Sequence, residues 1–454
     1  MIGSPKESEA KLGLPDIAML DRGLMVAVAL AFLVLFLVPG RIFQIPFPYD
    51  GDFITYQPLN VVDLLWIGIG VALFARSGGI SARAVLALAV ILAVGAIGLV
   101  VNGEAGMEQL ADLLLFNLRM AGGLAVGSLL FRSGFNGDAV SLMYLGGAAT
   151  VALAAIPLAL GWVSYDFYTG MGRFGSLGLA PNEAGIILAG AFNMLPWIMR
   201  KRRWVVLVAP LLFLGVLITG SRTALLLMMI GAAWWVPSVV GSIRGFRGIV
   251  VTVLIMVVWA AVAWWAWGFV EQIQTQGAVA SIAARTAETG ADESSTFRLR
   301  IYLDTITYLL EHPGALAVGV GGSNTAVEWV LVSVLPLGTY HTHDLALQAL
   351  AAYGLIGPVA CAVLLWPLLR RPARFPDLGS KAMRAFILSV VAGQVIQYGL
   401  VQVKFLLLFA MALGYVTAAS ATPVSGSAGG SGRTQPAAPP GSAPSTGWPS
   451  LPIA

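Results

Sequence analysis

The stretch AVSLMYLGGAATVALAAIPLALGWV, residues 139–163, decides the fold class, because it carries no charge and is long enough to cross a lipid bilayer. Similar apolar runs recur along the 454-residue chain, which is 58% hydrophobic and only 11% charged. A soluble domain of ordinary composition carries about 25% charged residues. We therefore predict an all-α integral membrane protein of about twelve transmembrane helices, with spans near 23–40, 59–75, 84–101, 109–131, 139–163, 184–199, 204–220, 223–242, 249–270, 347–369, 386–403 and 405–420.

The positions of the lysines and arginines predict the orientation of these spans, because basic loops stay in the cytoplasm. With the N-terminus inside, most of the 26 basic residues are cytoplasmic. The long polar segment 271–344, between spans 9 and 10, then lies outside the cytoplasm. The predicted parts are a cytoplasmic segment at 1–22, a polytopic membrane domain at 23–420, and a disordered cytoplasmic tail at 421–454, rich in Ser, Gly, Pro and Ala. The small net charge of +4 follows from this topology, so no nucleic-acid partner is expected.

The external segment 271–344 holds the three histidines of the chain, His312, His341 and His343. Histidine is the side chain that exchanges protons near neutral pH. His341 and His343 are two residues apart and cannot share a helical face as a pair of metal ligands, so no metal site is predicted. One of the two is the predicted general base, and which one stays open. An apolar segment at 326–337 is predicted to lie on the membrane surface.

Residues 296–311 of the external segment have the periodicity of a helix. Arg300 is placed to pair with Asp304, four residues further on. Arg298 lies on a different face beside Tyr302 and has no acidic residue three or four positions on, so it is predicted to bind an anion. The apolar stripe of this helix consists of Leu299, Leu303, Ile306 and Leu310.

Three further arginines lie near or within the spans. Arg222 falls between two spans with almost no loop, and an arginine at that depth is costly unless it faces water, a partner or a ligand, or snorkels to the outer surface. Arg173, in an external loop, is either a solvated loop residue or an anion ligand. Arg119 lies within a span, two turns after Asp112, and is predicted to form an internal ion pair.

Four segments resemble motifs of the O-antigen ligase and O-antigen polymerase superfamily, the bacterial transferases of polyprenyl-diphosphate-linked glycans. Residues 220–224, GSRTA, are similar to the family's G-S-R-T/S-A. Residues 298–321 are similar to R-x-x-x-W…H-P-[LF]-x-G-x-G, with Tyr302 in place of the usual tryptophan. Residues 343–348, HDLALQ, are similar to H-N-x-x-L-Q, with aspartate where asparagine is common. Residues 173–182 are similar to a weaker fourth motif that ends in P-N.

The resemblance implies a GT-C-like membrane glycosyltransferase that works on the periplasmic face of the bacterial inner membrane. It implies that the donor is a glycan on undecaprenyl diphosphate, that the surroundings are membrane lipid, and that the acceptor is a hydroxyl of lipid A-core, of a glycan or of a protein. The motifs do not separate ligase from polymerase, and a partner that regulates chain length stays open. No cofactor or metal is expected, because arginines can neutralise the diphosphate.

On this resemblance the site residues have distinct expected roles. Arg222 and Arg298 are expected to stabilise the departing diphosphate. His343 is expected to take the acceptor's proton in a single, inverting displacement. The expected substrate-binding residues are Arg173, His341, Asn182, Tyr302 and Arg300.

Two rival interpretations remain open at this point. A polytopic lipid-linked glycan transporter or flippase also has about twelve spans, but such proteins commonly show internal repeats and ionisable residues near the bilayer midplane. A metal-dependent transferase would use Asp50 and Asp52, which are spaced to hold a divalent ion against a diphosphate. The surrounding Pro-Tyr-Asp-Gly-Asp is, however, also an ordinary turn sequence.

Overall fold

Helices make up nearly all the regular structure in the residues that the computed structural model describes. These are residues 26, 30, 34–37, 63, 67, 69, 82–103, 106–133, 135–160, 175–177, 179–240, 293–322, 326–327, 330–331, 342–369, 375, 377–396, 399–400 and 403–421. One isolated antiparallel bridge joins Ser176 and Leu179. The predicted all-α class is therefore confirmed for this part of the chain.

The helices follow the apolar runs of the sequence. They are α1 (Ala82–Val101), α2 (Met107–Arg132), α3 (Gly137–Ala159), α4 (Pro181–Met199), α5 (Val208–Thr219), α6 (Arg222–Val240), α7 (Glu293–Glu311), α8 (Pro313–Val318), α9 (Leu345–Tyr353), α10 (Ile356–Leu365), α11 (Leu378–Ile396) and α12 (Val403–Ala421), with 3₁₀ turns at Arg203–Leu207 and Trp366–Leu369. Helices over Gln109–Arg132, Gly137–Ala159 and Lys404–Ala421 are long and apolar enough to cross a membrane, and shorter apolar helices accompany them. Predicted spans 1, 2 and 9 and the tail lie mostly or wholly outside the described residues, so the count of twelve stays a prediction.

The tenth predicted span, 347–369, is two helices rather than one. Gly354 separates α9 from α10 and has a φ of 60°, a left-handed conformation that glycine adopts without steric cost. The Leu355 amide then donates to the Leu316 carbonyl oxygen at 3.0 Å, so the break is fixed against α8. Hydropathy could not locate this break, because both halves are apolar.

The eleventh predicted span, 386–403, is displaced along the chain, because α11 begins at Leu378 and ends at Ile396. The Asp377 carboxylate caps its start by accepting hydrogen bonds from the Ser380 amide at 2.7 Å and from the Ser380 hydroxyl at 2.9 Å. Charged residues in its first turns hid this start from a hydropathy reading.

The larger apolar core is built from helix pairs that approach very closely. A side chain at Gly127 of α2 would collide with the Met411 carbonyl oxygen of α12, and one at Gly414 of α12 would collide with the backbone at Leu124. Small residues allow membrane helices to come this near. The Tyr144 hydroxyl of α3 donates to the Leu408 carbonyl oxygen at 2.7 Å, which ties α3 to the same pair.

A second apolar core joins α1, α7, α9 and the glycine-rich segment after α8. From α7 it takes Ile301 and Leu309, with the buried Thr305 between them. The stripe of α7 that begins at Leu299 is not part of this packed face and is exposed. The described residues of 326–337 are buried in this core, so the prediction that they lie on the membrane surface is wrong; they are Ala326, Val327, Val330 and Leu331.

The internal ion pair predicted for Arg119 is confirmed, with a partner from another span. Its Nη2 lies 2.9 Å from Asp63 Oδ2 and its Nε lies 3.0 Å from Asp63 Oδ1, a two-pronged contact between buried side chains. The pairing joins α2 to predicted span 59–75, a contact that sequence spacing alone cannot reveal.

We expect Asp63→Ala to lower the melting temperature of the detergent-solubilised protein strongly. Removing one partner of a buried ion pair typically costs about 3–5 kcal/mol, because the remaining charge loses the group that compensated its burial. Lys201→Ala is the control, because Lys201 pairs with Asp138 at the surface, where an ion pair contributes about 0–1 kcal/mol. Equal melting temperatures for the two variants would show that the buried pair is not structural.

Candidate active site

His343 belongs to a short loop that is fixed by the side chain of Gln348. The amide of the buried Thr342 donates to Gln348 Oε1 at 3.1 Å. The Thr342 hydroxyl lies 3.1 Å from the same oxygen and 3.0 Å from the Asp344 carbonyl oxygen. Gln348 is itself buried in α9. The residue before His343 is therefore tied to the helix that follows it.

Asp344 caps the N-terminus of α9. Its Oδ1 accepts a hydrogen bond from the Leu347 amide at 2.7 Å, and its carbonyl oxygen accepts one from the Gln348 amide at 2.8 Å. Asparagine and aspartate are about equally good at this position. The departure from the family's H-N motif therefore preserves the local geometry.

His343 itself has a φ of 60°, in the left-handed region. This conformation is uncommon for a residue other than glycine and costs of the order of 1–3 kcal/mol, so it persists only where neighbours hold it. Thr342 and Asp344 provide those bonds on either side. Such outliers cluster at functional sites, and His343 is half-buried.

Arg298 and Tyr302 of α7 meet the start of α9. Burial and then the Asp344 carboxylate raise the pKa of the Tyr302 phenol above its ordinary value, while the Arg298 guanidinium lowers it. The phenol therefore lies within electrostatic range of both groups and stays protonated at neutral pH. The structure thus brings the second and third sequence motifs together at one place.

The glycine-rich segment after α8 holds α9 in position through backbone contacts. The Val320 amide donates to the Ala351 carbonyl oxygen at 2.8 Å, and the Gly322 amide donates to the Ala352 carbonyl oxygen at 2.6 Å. Gly319 has a φ of 80°, and a side chain there would collide with Ala352. These glycines are thus required by packing, and they orient the helix that carries the His343 loop.

The same segment is also fixed to the end of α1. The Asn102 side-chain amide donates to the Gly319 carbonyl oxygen at 2.9 Å. Side chains added at Gly321 and Gly322 would meet Leu99 and Gly95, respectively, in the last turns of α1. The glycine-rich segment therefore lies between the C-terminal end of α9 and the last turns of α1, and contacts both.

Arg222 and Asn182 lie on elements that contact each other. Arg222 is exposed and is the first residue of α6, while Asn182 is half-buried in the first turn of α4. Gly185 of α4 packs closely against Ser221 and Ala224. Leu345, which follows His343 and Asp344, packs against the larger core, to which Ala224 also belongs.

A buried lysine supports the loop that leads to Asn182. Lys404 Nζ, at the start of α12, donates to the Phe36 carbonyl oxygen at 2.6 Å and to the Leu177 carbonyl oxygen at 2.7 Å. Leu177 has a φ of 50°. The lysine thus links the start of α12 to the segment that leads into α4.

The remaining predicted site residues are less well placed. Arg300 pairs with Asp304 at 3.6 Å, as predicted, but both are exposed and the pair is weak. Arg173, His341 and the Asp50 and Asp52 pair lie outside the described residues. Among the residues that the structure does describe, there is no group of three or more His, Cys, Asp or Glu side chains arranged to hold a metal ion.

Comparison with known families supports the sequence resemblance. Residues 207–362 match the family model described as O-antigen ligase. Residues 207–362 therefore resemble an O-antigen ligase domain. This stretch contains Arg222, Arg298, Tyr302 and His343, and the family is a polytopic, glycosyltransferase-type enzyme family. The family assignment therefore favours an enzyme over the transporter interpretation. No curated protein matches the chain.

Two positioning residues were missed by the sequence analysis. Gln348 was visible in the motif HDLALQ, and a buried amide on an apolar helix was a signal that it has a bonding partner nearby. The position of Lys404 at the start of an apolar helix was a signal of the same kind. A lysine ammonium group is buried there only when carbonyl oxygens accept its hydrogen bonds. Their partners, Thr342 and Leu177, could not be named from the sequence.

We expect Asp344→Asn to keep the glycosyltransferase activity that the family match implies and Asp344→Ala to lose most of it. Asparagine keeps the cap on α9, whereas alanine removes it at a cost of about 0.5–2 kcal/mol and releases the His343 loop. A displaced catalytic group can cost on the order of a hundredfold in rate. Initial transfer rates and melting temperatures would be measured together. Equal loss in both variants would instead assign a chemical role to the Asp344 carboxylate.

Proposed function

We propose that this protein transfers a glycan from undecaprenyl diphosphate to an acceptor hydroxyl on the periplasmic face of the bacterial inner membrane. The reaction is a single displacement that inverts the anomeric centre and uses no metal ion. The observation that carries the proposal is the convergence of Arg298 and Tyr302 with Asp344, next to the constrained His343. The O-antigen ligase match, which covers all four residues, supports the choice of substrates.

The leaving group is the first electrostatic demand of this reaction. The bond between the anomeric carbon and the phosphate oxygen breaks, and undecaprenyl diphosphate departs with added negative charge. Arg298 and Arg222 stabilise that charge, and one such donor typically contributes about 3–4 kcal/mol to the transition state. The protonated Tyr302 phenol, beside Arg298, can donate a further hydrogen bond. The polyprenyl tail lies along the apolar helices.

The acceptor supplies the new bond. Its hydroxyl oxygen attacks the anomeric carbon from the side opposite the diphosphate, and His343 takes the proton. A positioned base of this kind contributes roughly 10²–10⁴-fold to the rate. The Gln348–Thr342 hydrogen bonds and the Asp344 cap hold His343 in one conformation, so the base is positioned before the substrate arrives.

The other predicted residues have supporting roles in this proposal. Asn182, on the helix that packs against the start of α6, binds the donor. Arg300, on the solvent side of α7, is placed to contact the glycan. Arg173 and His341 keep their proposed binding roles, with His341 as the alternative base. Because ligase and polymerase break the same bond, the proposal treats them as one reaction class, with lipid A-core, a glycan or a protein hydroxyl as acceptor.

We expect the protein, in nanodiscs with an undecaprenyl diphosphate-linked glycan and an acceptor, to release undecaprenyl diphosphate. His343→Ala and Arg298→Ala are expected to lower the initial rate at least about a hundredfold, because each removes a group that acts in the transition state. A chelator is expected to leave the rate unchanged. The product, and its anomeric configuration by NMR, distinguish ligase from polymerase and inversion from retention.

His312→Ala is the matched histidine control for this assay. His312 is exposed, stacks on Tyr308 with ring centroids 4.2 Å apart, and lies at the junction of α7 and α8. An exposed substitution of this kind is expected to change the rate by roughly twofold at most. Full activity in His343→Ala and Arg298→Ala, or activity that only the chelator abolishes, would contradict the proposal and point to Asp50 and Asp52.

A further inference from the structure

The periplasmic helix α7 has three distinct faces. One face packs into the second core through Ile301, Thr305 and Leu309. A second face is apolar yet exposed, at 57% for Leu299, 57% for Leu303, 44% for Ile306 and 65% for Leu310. A third face is charged and exposed and consists of Arg300, Asp304 and Glu311.

These faces divide the circumference of the helix. At 3.6 residues per turn, the exposed apolar stripe lies about 130° from the packed face and about 110° from the charged face. A helix in the core of a soluble domain would bury its apolar stripe. A helix that lies beside a protein at the surface of a bilayer has all three environments, namely protein, lipid and water.

The C-terminal end of α7 brings the stripe close to the exposed end of an apolar helix. Its C-terminal end continues into α8, where Gly314 faces Val101, the last residue of α1. The apolar helix Val85–Val101 ends there, and Val100 and Val101 are 71% and 60% exposed. Leu310 lies four residues before Gly314, across the junction of α7 and α8, so the stripe ends near the exposed apolar end of α1.

A second element brings lipid-facing residues to the same place. The Leu355 amide donates to the Leu316 carbonyl oxygen of α8 at 3.0 Å. Leu355 and Val359, at the start of α10, are 59% and 62% exposed. Two apolar helices thus present exposed aliphatic side chains beside α8, close to where α7 ends.

We propose that α7 lies on the outer leaflet of the bilayer, with Leu299, Leu303, Ile306 and Leu310 inserted into the boundary between lipid headgroups and acyl chains. The charged face that contains Arg300 and Glu311 then points to water and headgroups. This location of α7 on the bilayer does not depend on the transfer reaction. One consequence does rest on the proposed function, because Arg298 adjoins Leu299 and is thereby held at the depth of a lipid diphosphate.

The accessibility of spin labels in the full-length protein tests this location of α7 without any glycan donor. Cys361, half-buried in α10, is first replaced by alanine, and single cysteines are then introduced as Ile306→Cys or Glu311→Cys. These positions lie on the same helix but about 140° apart around its axis. Each labelled protein is placed in nanodiscs of phosphatidylethanolamine and phosphatidylglycerol. Collisions of the nitroxide with oxygen, which enters lipid, and with a water-soluble nickel chelate are compared.

The proposed location of α7 predicts opposite results at positions 306 and 311. At 306 the ratio of oxygen to nickel-chelate collisions is above that of a water-exposed label, and at 311 it is not. If the 306 variant misfolds, the same collision ratio is measured on Leu299→Cys, at the other end of the stripe. Equal collision ratios at 306 and 311 would overturn the proposal that α7 lies on the bilayer. Shielding of 306 from both reagents would also overturn it, because protein, and not lipid, would then cover the stripe.

Discussion

The backbone contact between the glycine-rich segment and the end of α9 is the constraint on which the candidate site depends. The Val320 and Gly322 amides reach the carbonyl oxygens of Ala351 and Ala352 only because no side chain intervenes at Gly319. This contact fixes α9 against α8 and against the last turns of α1. Since α9 begins just after His343, the position of the proposed base follows from packing at the opposite end of the helix.

From that fixed helix, short-range hydrogen bonds set the geometry at His343. Asp344 caps α9, and Gln348 reaches back to Thr342, so the histidine is held from both sides in a conformation that it would rarely adopt alone. The second core then presses α7 against α9 and brings Arg298 and Tyr302 to the same place. The proposed base and a cation thus come from segments that the chain keeps more than forty residues apart.

Much of this arrangement could be predicted from the sequence, because it depends on local patterns. Hydropathy located α2, α3 and α12, and the i,i+4 spacing correctly paired Arg300 with Asp304. Long-range partners could not be predicted. The carboxylate that pairs with Arg119 is Asp63, in another span, and nothing in the spacing of the residues distinguishes it from Asp112.

One error has a clear physical origin, namely that hydropathy reports composition and not the direction in which a side chain points. The segment 326–337 was assigned to the membrane surface, yet Val327 and Leu331 are buried in the second core. The apolar stripe of α7 is exposed, although an amphipathic pattern usually marks the packed face. Which apolar face meets protein and which meets lipid is decided by neighbouring elements.

The most direct measurement is a cryo-electron microscopy structure in nanodiscs with an uncleavable undecaprenyl diphosphate-linked donor analogue. The account predicts that the guanidinium groups of Arg298 and Arg222 contact the diphosphate oxygens, and that the imidazole of His343 faces the anomeric carbon from the opposite side. A diphosphate bound elsewhere, or bound through a metal ion on Asp50 and Asp52, would contradict it.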